Sequence, residues 1–304
     1  MPPKRVEVEI DGRVLSLSNL DKVLYPRAGF TKGQVIDYYT RIAPVLLAHL
    51  RDRPLTLKRY PNGVEGQYFY EKQCPKHRPD WVRTSPVYSR HAHRTIDFCV
   101  VDDLPTLVWT SNLADLELHT SLSRVDDVTA PAILAFDLDP GPPATIVECA
   151  EVAMRLRDLF ERLGLECFPK TSGSKGMQVY VPLNVPTSYE VTKPFANGIA
   201  QLLERLYPEL VVSDMKKVLR TGKVLVDWSQ NDEHKTTVCV YSLRARDFPT
   251  VSTPITWDEV EDVLRSRDPD DLVFESAAVL ERVARAGDLF AAVETLEQEL
   301  PSSL

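Results

Sequence analysis

The distribution of hydrophobic and polar residues divides the chain into short alternating segments and longer periodic ones. Residues 6–10 alternate apolar and acidic side chains, Asp11-Gly12 follows, and residues 14–17 alternate again. Alternation on both sides of an Asp-Gly pair is typical of two antiparallel strands joined by a tight turn. The chain is therefore predicted to begin with a β-hairpin.

A long helix is predicted shortly after this hairpin. Thr31 and Gln34 have the spacing of a capping box, in which each side chain binds a backbone amide at the start of a helix. Residues 35–50 then carry apolar side chains at helical intervals. Pro44 lies inside this segment and predicts a kink, because proline removes one helical hydrogen bond.

The rest of the chain mixes strand-like and helix-like segments. Short apolar runs bounded by proline, glycine or charges predict further strands at 96–101, 132–136, 177–181, 224–226 and 238–241. Longer periodic segments predict helices at 145–163, 188–206 and 277–300. This mixture predicts an α/β fold of the α+β kind, with the acidic C-terminal segment packed outside the core.

Length and composition fit a globular protein. A chain of 304 residues with 43% hydrophobic content can bury one large core, or two smaller cores that share a cleft. No run approaches the roughly 18 uninterrupted apolar residues of a membrane helix, and the N-terminus lacks an apolar signal core. Five cysteines at scattered positions do not predict a disulfide framework. These features predict a cytoplasmic protein without a membrane partner.

The net charge of -8 conceals an uneven distribution. Residues 1–60 hold 11 Lys and Arg against 6 Asp and Glu, and residues 170–246 hold 11 against 7. Residues 247–304 hold 4 against 14. Because nucleic-acid binding depends on local positive charge, the acidic total does not exclude it.

Candidate chemistry begins at the end of the apolar run 132–136. Asp137 and Asp139 are two residues apart, so on a strand they face the same side, about 7 Å apart, where they can hold hard cations. The alternative is a strand edge that runs into an acidic turn. Asp-x-Asp is too common to decide between them.

Asp227 supplies a third carboxylate at the end of another apolar run. Three acids on neighbouring strands can hold two cations about 3.5–4 Å apart, which stabilise the attacking and leaving oxygens of phosphoryl transfer. The alternative is a local salt bridge to a lysine or arginine.

A polar loop and two basic clusters offer contacts for phosphate. The loop is Thr171-Ser172-Gly173-Ser174-Lys175-Gly176, whose glycines allow sharp turns that aim amides at an anion. Its spacing is not that of a Walker loop, and a polar hairpin loop is an equal alternative. The basic clusters are residues 216–220 and 241–246; charge runs of this kind are usually solvated faces.

Two other groups of residues carry a weaker signal. Cys74 and His77 have zinc-ligand side chains, but no second pair follows at finger-like spacing. Phe69 and Tyr70, taken alone, predict core packing rather than base stacking.

Taken together, these motifs resemble a known family, the polymerase domain of bacterial ligase D and its stand-alone relatives in the archaeo-eukaryotic primase superfamily. The resemblance runs from about Leu17 to Asp288. It rests on eight ordered segments: 21–26 (DKVLYP), 58–64 (KRYPNGV), 69–73 (FYEKQ), 116–119 (LELH), 136–141 (FDLDPG), 171–176 (TSGSKG), 226–231 (VDWSQN) and 241–244 (YSLR).

The resemblance implies a primase-polymerase core of mixed β-sheets flanked by helices, and roles for individual residues. Asp137, Asp139 and Asp227 are implied as catalytic ligands of two Mn²⁺ or Mg²⁺ ions. The implied contacts of the incoming NTP or dNTP are His119, Ser172, Lys175, Lys217, Arg220, Gln230 and Arg244. The implied DNA contacts are Asn19, Lys22 and Lys32 at a downstream 5′-phosphate, and Lys58, Phe69 and Tyr70 on the template strand.

The resemblance further implies a bacterial, nucleoid-associated enzyme that fills gaps and extends ends, preferring ribonucleotides, in end joining or base excision repair. Since ligase and nuclease motifs are not found, a separate DNA ligase is the implied partner, with a Ku-like end-binding protein as another. The chain is expected to form one domain, with a DNA-groove and 5′-phosphate part at 1–125, catalytic motifs at 126–250 and a helical tail at 251–304. Alternative functions are a primase that starts RNA chains de novo, or a non-catalytic end-binding module that recruits a ligase.

One position departs from the family pattern. After Lys175-Gly176 the family usually has a hydrophobic residue and then histidine, whereas this chain has Met177-Gln178. An amide donates hydrogen bonds but cannot carry the charge of an imidazolium. The affinity for triphosphate or the metal preference is therefore expected to differ.

Overall fold

The computed structural model describes residues 5–89 and 93–301, which form two compact units. The first unit contains the described residues up to Ser121, Val238–Val251 and Glu275–Asp288. The second contains Leu122–Thr237, Ser252–Phe274 and the residues from Leu289 onward. The chain therefore enters each unit more than once, and the functional division into three consecutive parts stays a prediction.

The elements follow one another along the chain as strands and helices in mixed order. The first part contains β1 (Arg5–Ile10), β2 (Arg13–Ser18), β3 (Val23–Tyr25), β4 (Phe30–Thr31), α1 (Lys32–Leu50), β5 (Leu55–Arg59), β6 (Phe69–Glu71), β7 (Thr84–Ser89), β8 (Arg94–Cys99), α2 (Leu104–Asn112) and β9 (Asp115–Thr120). The middle contains β10 (Ser123–Arg124), β11 (Asp127–Pro131), β12 (Ile133–Pro140), α3 (Ile146–Arg162), β13 (Phe168–Thr171), β14 (Met177–Pro182), α4 (Tyr189–Leu206), β15 (Val211–Val212) and β16 (Val224–Asp227). The last part contains β17 (Thr237–Val238), α5 (Trp257–Ser266), α6 (Ser276–Ala286) and α7 (Ala292–Thr295). The predicted mixed α/β class is confirmed.

The hairpin and the first helix form where the sequence predicted them. β1 pairs with β2 in antiparallel register, with Ile10 opposite Arg13. The capping box of α1 is complete, because Thr31 Oγ1 accepts from the Gln34 amide and the Gln34 side chain accepts from the Thr31 amide. α1 continues through Pro44 to Leu50.

The first unit is built on a six-stranded sheet. Its strand order is β17-β9-β5-β8-β7, and β6 pairs with β5. Helix α1 buries Tyr39 and Leu46, and Tyr39 donates a hydrogen bond of 2.7 Å to the carbonyl of Leu116 on β9. This bond ties the helix to the strand that carries the Leu116–His119 motif.

The second unit is built on a five-stranded sheet of order β13-β14-β12-β16-β15. On β12, Leu134, Phe136 and Leu138 point to one face and are fully buried in a core with α3. The Phe136 ring lies 5.5 Å from the Phe160 ring of α3. Since side chains alternate along a strand, Asp137 and Asp139 are placed on the other face.

Three predictions for the C-terminal part of the chain are wrong. The strand predicted at 238–241 is only Thr237–Val238, and a turn follows it with Tyr241 at φ +63°. The helix predicted over 277–300 ends at Ala286, because Gly287 takes a positive φ of +69°. The segment after it does not pack outside the core, since Phe290 and Val293 are each 1% exposed.

One disulfide joins Cys74 to Cys99 in the first unit, a pair that the cysteine pattern did not predict. It also removes Cys74 as a candidate zinc ligand. The pairing depends on β8 approaching the segment after β6, where the Cys74 amide donates to the carbonyl of Asp97. Cys149, Cys167 and Cys239 are buried free thiols. None of the helices in the described ranges has the length and apolar character needed to cross a membrane.

Candidate active site

The fold brings the three predicted catalytic aspartates together on one face of the five-stranded sheet. Asp137 and Asp139 are two residues apart on β12 and share that face. Asp227, the last residue of β16, lies directly opposite Asp137 in the antiparallel register. The Cβ atoms of such directly paired residues are about 4.5–5.5 Å apart. Asp137 and Asp227 are 90 positions apart in the sequence, and strand pairing makes them nearest cross-strand neighbours.

The three carboxylates repel one another. The pKa of Asp137 is raised to about 7, first because the group is partly buried and then because Asp139 and Asp227 carry like charge. A hydrogen bond with Gln178 and the positive charge of Lys170 act in the opposite direction. Three carboxylates and one lysine leave a surplus of negative charge at this site, which favours the binding of a cation.

Asp227 is held by the turn that follows it. One of its carboxylate oxygens accepts from the amide and the hydroxyl of Ser229, at 2.8 and 2.6 Å. The other accepts from Gln230 Nε2 at 3.0 Å. Among the residues described, no three or more His, Cys, Asp and Glu side chains are grouped so that they could hold a metal ion. The donor set of three carboxylates would nevertheless suit Mg²⁺ or Mn²⁺, which prefer oxygen ligands.

A row of cross-strand partners continues from Asp137 to two buried polar residues. Gln178 of β14 lies opposite Asp137, and Lys170 of β13 lies opposite Gln178. Gln178 Nε2 donates to Thr237 Oγ1 at 3.0 Å, and Gln178 Oε1 finds no partner within the described chain. Lys170 is fully buried and donates to Ser252 Oγ at 2.7 Å. Lys170 was not predicted from the sequence, because its only signal is its place just before Thr171 and only strand register relates it to Asp137.

The predicted phosphate loop uses part of its backbone for its own conformation. The amides of Ser174 and Gly176 both donate to Ser172 Oγ at 3.2 Å. Gly176 is packed so closely against β12 that a Cβ atom there would lie 2.0 Å from the carbonyl oxygen of Leu138. The loop is thus fixed beside the strand of the acids, and its exposed charged side chain is Lys175.

The basic segment 216–220 is fixed to the same strand by a glycine. A Cβ atom on Gly141 would lie 1.8 Å from the carbonyl oxygen of Arg220. The Gly141 amide donates to Lys223 O at 2.8 Å, and the Gly222 amide donates to Gly141 O at 3.0 Å. Lys217 is exposed and Arg220 is half-buried. The Asp-x-Asp-Pro-Gly motif therefore holds Arg220 near the acids through its glycine.

Two predicted nucleotide contacts, His119 and Arg244, belong to the first unit. Both lie against Glu117 of β9, which is almost fully buried. His119 Nε2 is 3.0 Å and Arg244 Nε is 3.3 Å from Glu117 Oε2. Lys58 Nζ, a predicted template contact, is 3.1 Å from the same carboxylate. We call these four residues the Glu117 cluster.

The predicted stacking residues lie on β6 at the edge of this cluster. Phe69 and Tyr70 are 49% and 57% exposed, so large aromatic surfaces face the solvent. Because neighbouring residues of a strand point to opposite faces, only one of them faces the cluster. That residue is Tyr70, whose ring lies 5.8 Å from the His119 ring and 5.3 Å from Lys58 Nζ.

The predicted 5′-phosphate residues lie near one another in the first unit. Asn19 and Lys22 line one pocket, and Lys22 Nζ donates to Asn62 Oδ1 at 3.1 Å. Lys32 is 5% exposed and its ammonium donates to Ser18 O at 2.6 Å. Burial, followed by repulsion from Lys22 and Arg59, lowers the pKa of Lys32 to about 8. Lys22 is therefore the more accessible of the two cations.

Comparison with known proteins identifies the family of this chain. Residues 31–290 match the family model described as "LigD, primase-polymerase domain". The multifunctional non-homologous end joining protein LigD of Mycolicibacterium smegmatis is 42% identical over 280 residues, or 91% of this chain. The LigD protein of Mycobacterium tuberculosis is 43% identical over 296 residues, or 94% of this chain. This chain spans 36% and 37% of the lengths of these two relatives.

A solved structure covers almost the same extent as this chain. The polymerase domain of Mycobacterium tuberculosis ligase D, in complex with DNA, superposes with a TM-score of 0.87 and 41% sequence identity. The match covers 93% of this chain and 99% of that domain. The fold class and the family inferred from the motifs are confirmed by these matches. The chain therefore belongs to the LigD primase-polymerase domain family, whose members are DNA-directed nucleotidyltransferases.

Proposed function

We propose that this chain is a template-dependent polymerase that fills short gaps and extends broken DNA ends during end joining or excision repair, with ribonucleotides preferred. The observation that carries the proposal is the direct pairing of Asp137 with Asp227, with Asp139 on the same face. The relatives named for non-homologous end joining, and the DNA-bound neighbour, support DNA ends as the substrate.

The acidic site, defined as Asp137, Asp139 and Asp227, is proposed to hold two divalent cations, Mn²⁺ or Mg²⁺. Bound there, the cations stabilise the charge on the attacking and leaving oxygens of an in-line displacement. The chain's own groups orient the ligands. Gln178 lies opposite Asp137, and the turn at Ser229 and Gln230 would hold Asp227 in place beside a bound cation.

The incoming nucleotide is proposed to bind through the basic and polar side chains that the family resemblance assigns to it. Lys175, Lys217 and Arg220 supply positive charge in the second unit, where triphosphate oxygens accept charge-assisted hydrogen bonds. Ser172 and Gln230 complete that proposed set. His119 and Arg244 are the proposed contacts in the first unit.

The DNA is proposed to contact the first unit at two places. Exposed Phe69 and Tyr70 offer sequence-tolerant stacking surfaces for template bases, with Lys58 beside Tyr70. Asn19, Lys22 and Lys32 are proposed to bind the downstream 5′-phosphate. A DNA ligase and a Ku-like end-binding protein are the partners proposed to complete the repair reaction.

Primer extension on a gapped duplex tests the function directly. We expect the wild-type chain to add nucleotides to a primer 3′-hydroxyl, and more readily from ribonucleotides than from deoxyribonucleotides. Asp137→Ala should reduce the rate by about 1000-fold or more, because it removes a ligand that positions charge stabilisation worth several kcal/mol. Gel-shift binding of the same duplex should be unchanged.

The matched control is Asp127→Ala, which removes an exposed carboxylate from β11 of the same unit. It should leave extension unchanged. Extension at the wild-type rate by folded Asp137→Ala would contradict the assigned acids. Synthesis that starts without a primer would instead favour a de novo primase.

Nucleotide contacts are tested by steady-state kinetics. Lys175→Ala and Arg244→Ala should each lower kcat/KM for nucleotide by roughly 10- to 100-fold, the loss expected for one charge-assisted contact. Arg246→Ala, which removes an exposed arginine two positions from Arg244, is the control and should change little. If both variants show the wild-type nucleotide dependence, the assignment of the triphosphate contacts is wrong.

A further inference from the structure

Glu117 occupies an unusual position for an acidic residue. Its side chain is 3% exposed, on the central strand pair β9–β5 of the first unit. A buried carboxylate is destabilising unless it is paired and hydrogen-bonded. Glu117 meets both conditions, and its partners come from separate segments of the chain.

Donors surround both carboxylate oxygens. Lys58 Nζ on β5 lies 3.1 Å from each oxygen. Oε1 also accepts from the Tyr60 hydroxyl at 3.3 Å and the Ala245 amide at 3.1 Å. Oε2 faces His119 Nε2 at 3.0 Å and Arg244 Nε at 3.3 Å. One carboxylate therefore joins β5, β9 and the segment after β17.

These contacts decide the charge state of Glu117. Burial alone would raise its pKa, but the hydrogen bond from His119 and the charges of Arg244 and Lys58 hold the pKa well below its usual range. Glu117 is therefore an anion throughout the physiological pH range. Glu117 therefore supplies the negative charge that pairs with both permanent cations, Lys58 and Arg244.

We propose that Glu117 is a positioning residue for nucleotide and template binding. This inference rests on the proposed function, because it assigns Glu117 the task of holding His119 and Arg244, the proposed nucleotide contacts, and Lys58, the proposed template contact. Glu117 itself touches neither substrate in this account. It fixes the three basic side chains in one arrangement and offsets part of the positive charge of Lys58 and Arg244.

The geometry also sets the hydrogen-bonding role of His119. Burial and the positive charges of Arg244 and Lys58 together lower the pKa of His119 more than Glu117 raises it, so the ring is neutral at neutral pH. Because Nε2 faces an anionic acceptor, Nε2 carries the proton and Nδ1 is an acceptor. An acceptor suits a hydroxyl donor, such as a ribose hydroxyl, and repels a phosphate oxygen. Glu117 thereby directs His119 toward the sugar of the nucleotide.

The test combines a structural readout with kinetics on the full chain. Nitrogen-15 NMR of the His119 ring distinguishes the two neutral tautomers and follows the titration of the ring. The charged and titratable groups that face this ring are Glu117 of β9, Lys58 of β5, Tyr70 of β6 and Arg244. In the wild type we expect the Nε2–H tautomer and a titration midpoint below that of an exposed histidine.

Glu117→Gln keeps the shape of the side chain and removes its charge. We expect the His119 midpoint to fall further, the tautomers to mix, and kcat/KM for ribonucleotides to drop by roughly 10- to 100-fold. The preference for ribonucleotides over deoxyribonucleotides should shrink, because His119 no longer presents Nδ1 to the sugar. Glu117→Leu, which removes every acceptor, should show larger losses if it folds.

Glu71→Gln is the matched control. Glu71 lies on β6 and pairs with Arg59 at 2.6 Å rather than with the cluster, so this variant should leave the His119 spectrum and the kinetics unchanged. An unchanged His119 tautomer and midpoint in Glu117→Gln would overturn the proposal. So would a changed spectrum with unchanged nucleotide kinetics. If the wild type transfers no nucleotide, the proposed function fails, and the NMR comparison still decides whether Glu117 sets the His119 tautomer.

Discussion

Two regions of this protein hold buried or partly buried carboxylates, and they reach opposite charge states. In the acidic site, Asp137 faces two further aspartates and its pKa is raised to about 7. In the Glu117 cluster, one glutamate faces three basic side chains and its pKa is held far below the usual range. Burial acts in the same direction at both places. The neighbouring charges therefore decide the direction of each pKa shift. Acids that neighbour one another without enough positive charge indicate a cation site, whereas an acid surrounded by basic side chains indicates a positioning residue.

The largest expected effect on the acidic site comes from a substitution that disturbs its backbone without changing a charge. Gly141→Ala would place a Cβ atom 1.8 Å from the carbonyl oxygen of Arg220, and backbone cannot yield as a flexible side chain does. We expect the free energy of unfolding to fall by at least about 3 kcal/mol, the upper part of the range for overpacking. Denaturant unfolding measures this loss.

Gly164→Asn is the control for this substitution. Gly164 has φ +72° with no atom near its added Cβ, and asparagine tolerates that backbone conformation. It should change stability little. A Gly141→Ala variant as stable as Gly164→Asn would show that the basic segment is free to move from β12.

The second prediction uses the opposite pKa shifts. In the presence of a chelator, Asp137 should make the folded state less favourable as the pH rises from about 4 to about 7, because the unfolded chain releases the proton first. Over this range the wild type should lose on the order of 1–3 kcal/mol relative to Asp137→Asn. Thermal unfolding at a series of pH values measures the difference.

Glu117→Gln should show the reverse sign. Because the folded pKa of Glu117 is depressed, its stabilising contribution is present at neutral pH and is lost as the pH falls. Glu117→Gln should therefore be most destabilised, relative to the wild type, at neutral pH. If the stabilities of Asp137→Asn and Glu117→Gln, each relative to the wild type, changed with pH in the same direction, the comparison between the two regions would be wrong.

The grouping of the three aspartates was more predictable from the sequence than the Glu117 cluster, for a physical reason. Asp137 and Asp139 share a strand, and alternation alone puts them on one face. The partnership with Asp227 depends on strand register, which the resemblance supplied and the local pattern did not. Lys170 and Glu117 were not predicted because their roles depend on pairing between residues distant in sequence, such as Glu117 with Lys58 and Arg244.

Local signals also explain which elements were predicted correctly. Capping boxes lie near their helices in sequence, so the start of α1 at Lys32 was predictable from Thr31 and Gln34. The strand expected at 238–241 was wrong because its apolar residues are buried in a turn rather than a ladder. The prediction of one helix over 277–300 was wrong because Gly287 takes a positive φ, which ends the helix at Ala286.

The third prediction concerns the polar row next to Asp137. Gln178→Leu removes the amide that lies opposite Asp137 and lowers its pKa, while keeping a similar volume. We expect the Kd for Mn²⁺ to rise about 10-fold, the lower end of losses seen when a partner of a metal ligand is removed. Electron paramagnetic resonance of free Mn²⁺ measures it. Thr237→Val, which removes the other partner of Gln178 without touching Asp137, should have a smaller effect in the same direction.

The smallest expected effect lies outside both regions. Lys22→Glu reverses an exposed charge beside the pocket lined by Asn19 and should remove the preference for gapped DNA with a 5′-phosphate over a 5′-hydroxyl. Extension of an open primer-template should stay near wild type. Salt dependence of gap binding should become shallower, since fewer counterions are released. Competition binding tests this, and an undiminished preference would place the phosphate elsewhere.

The central claim is that the unbalanced carboxylates of the acidic site take up divalent cations for nucleotidyl transfer. Counting bound Mn²⁺ by electron paramagnetic resonance, in the presence of a non-hydrolysable nucleotide, tests it most directly. We predict two ions per wild-type chain, and for folded Asp137→Ala at most one, with affinity weakened at least about 10-fold. The same number of ions bound with the same affinity by both proteins would contradict the claim.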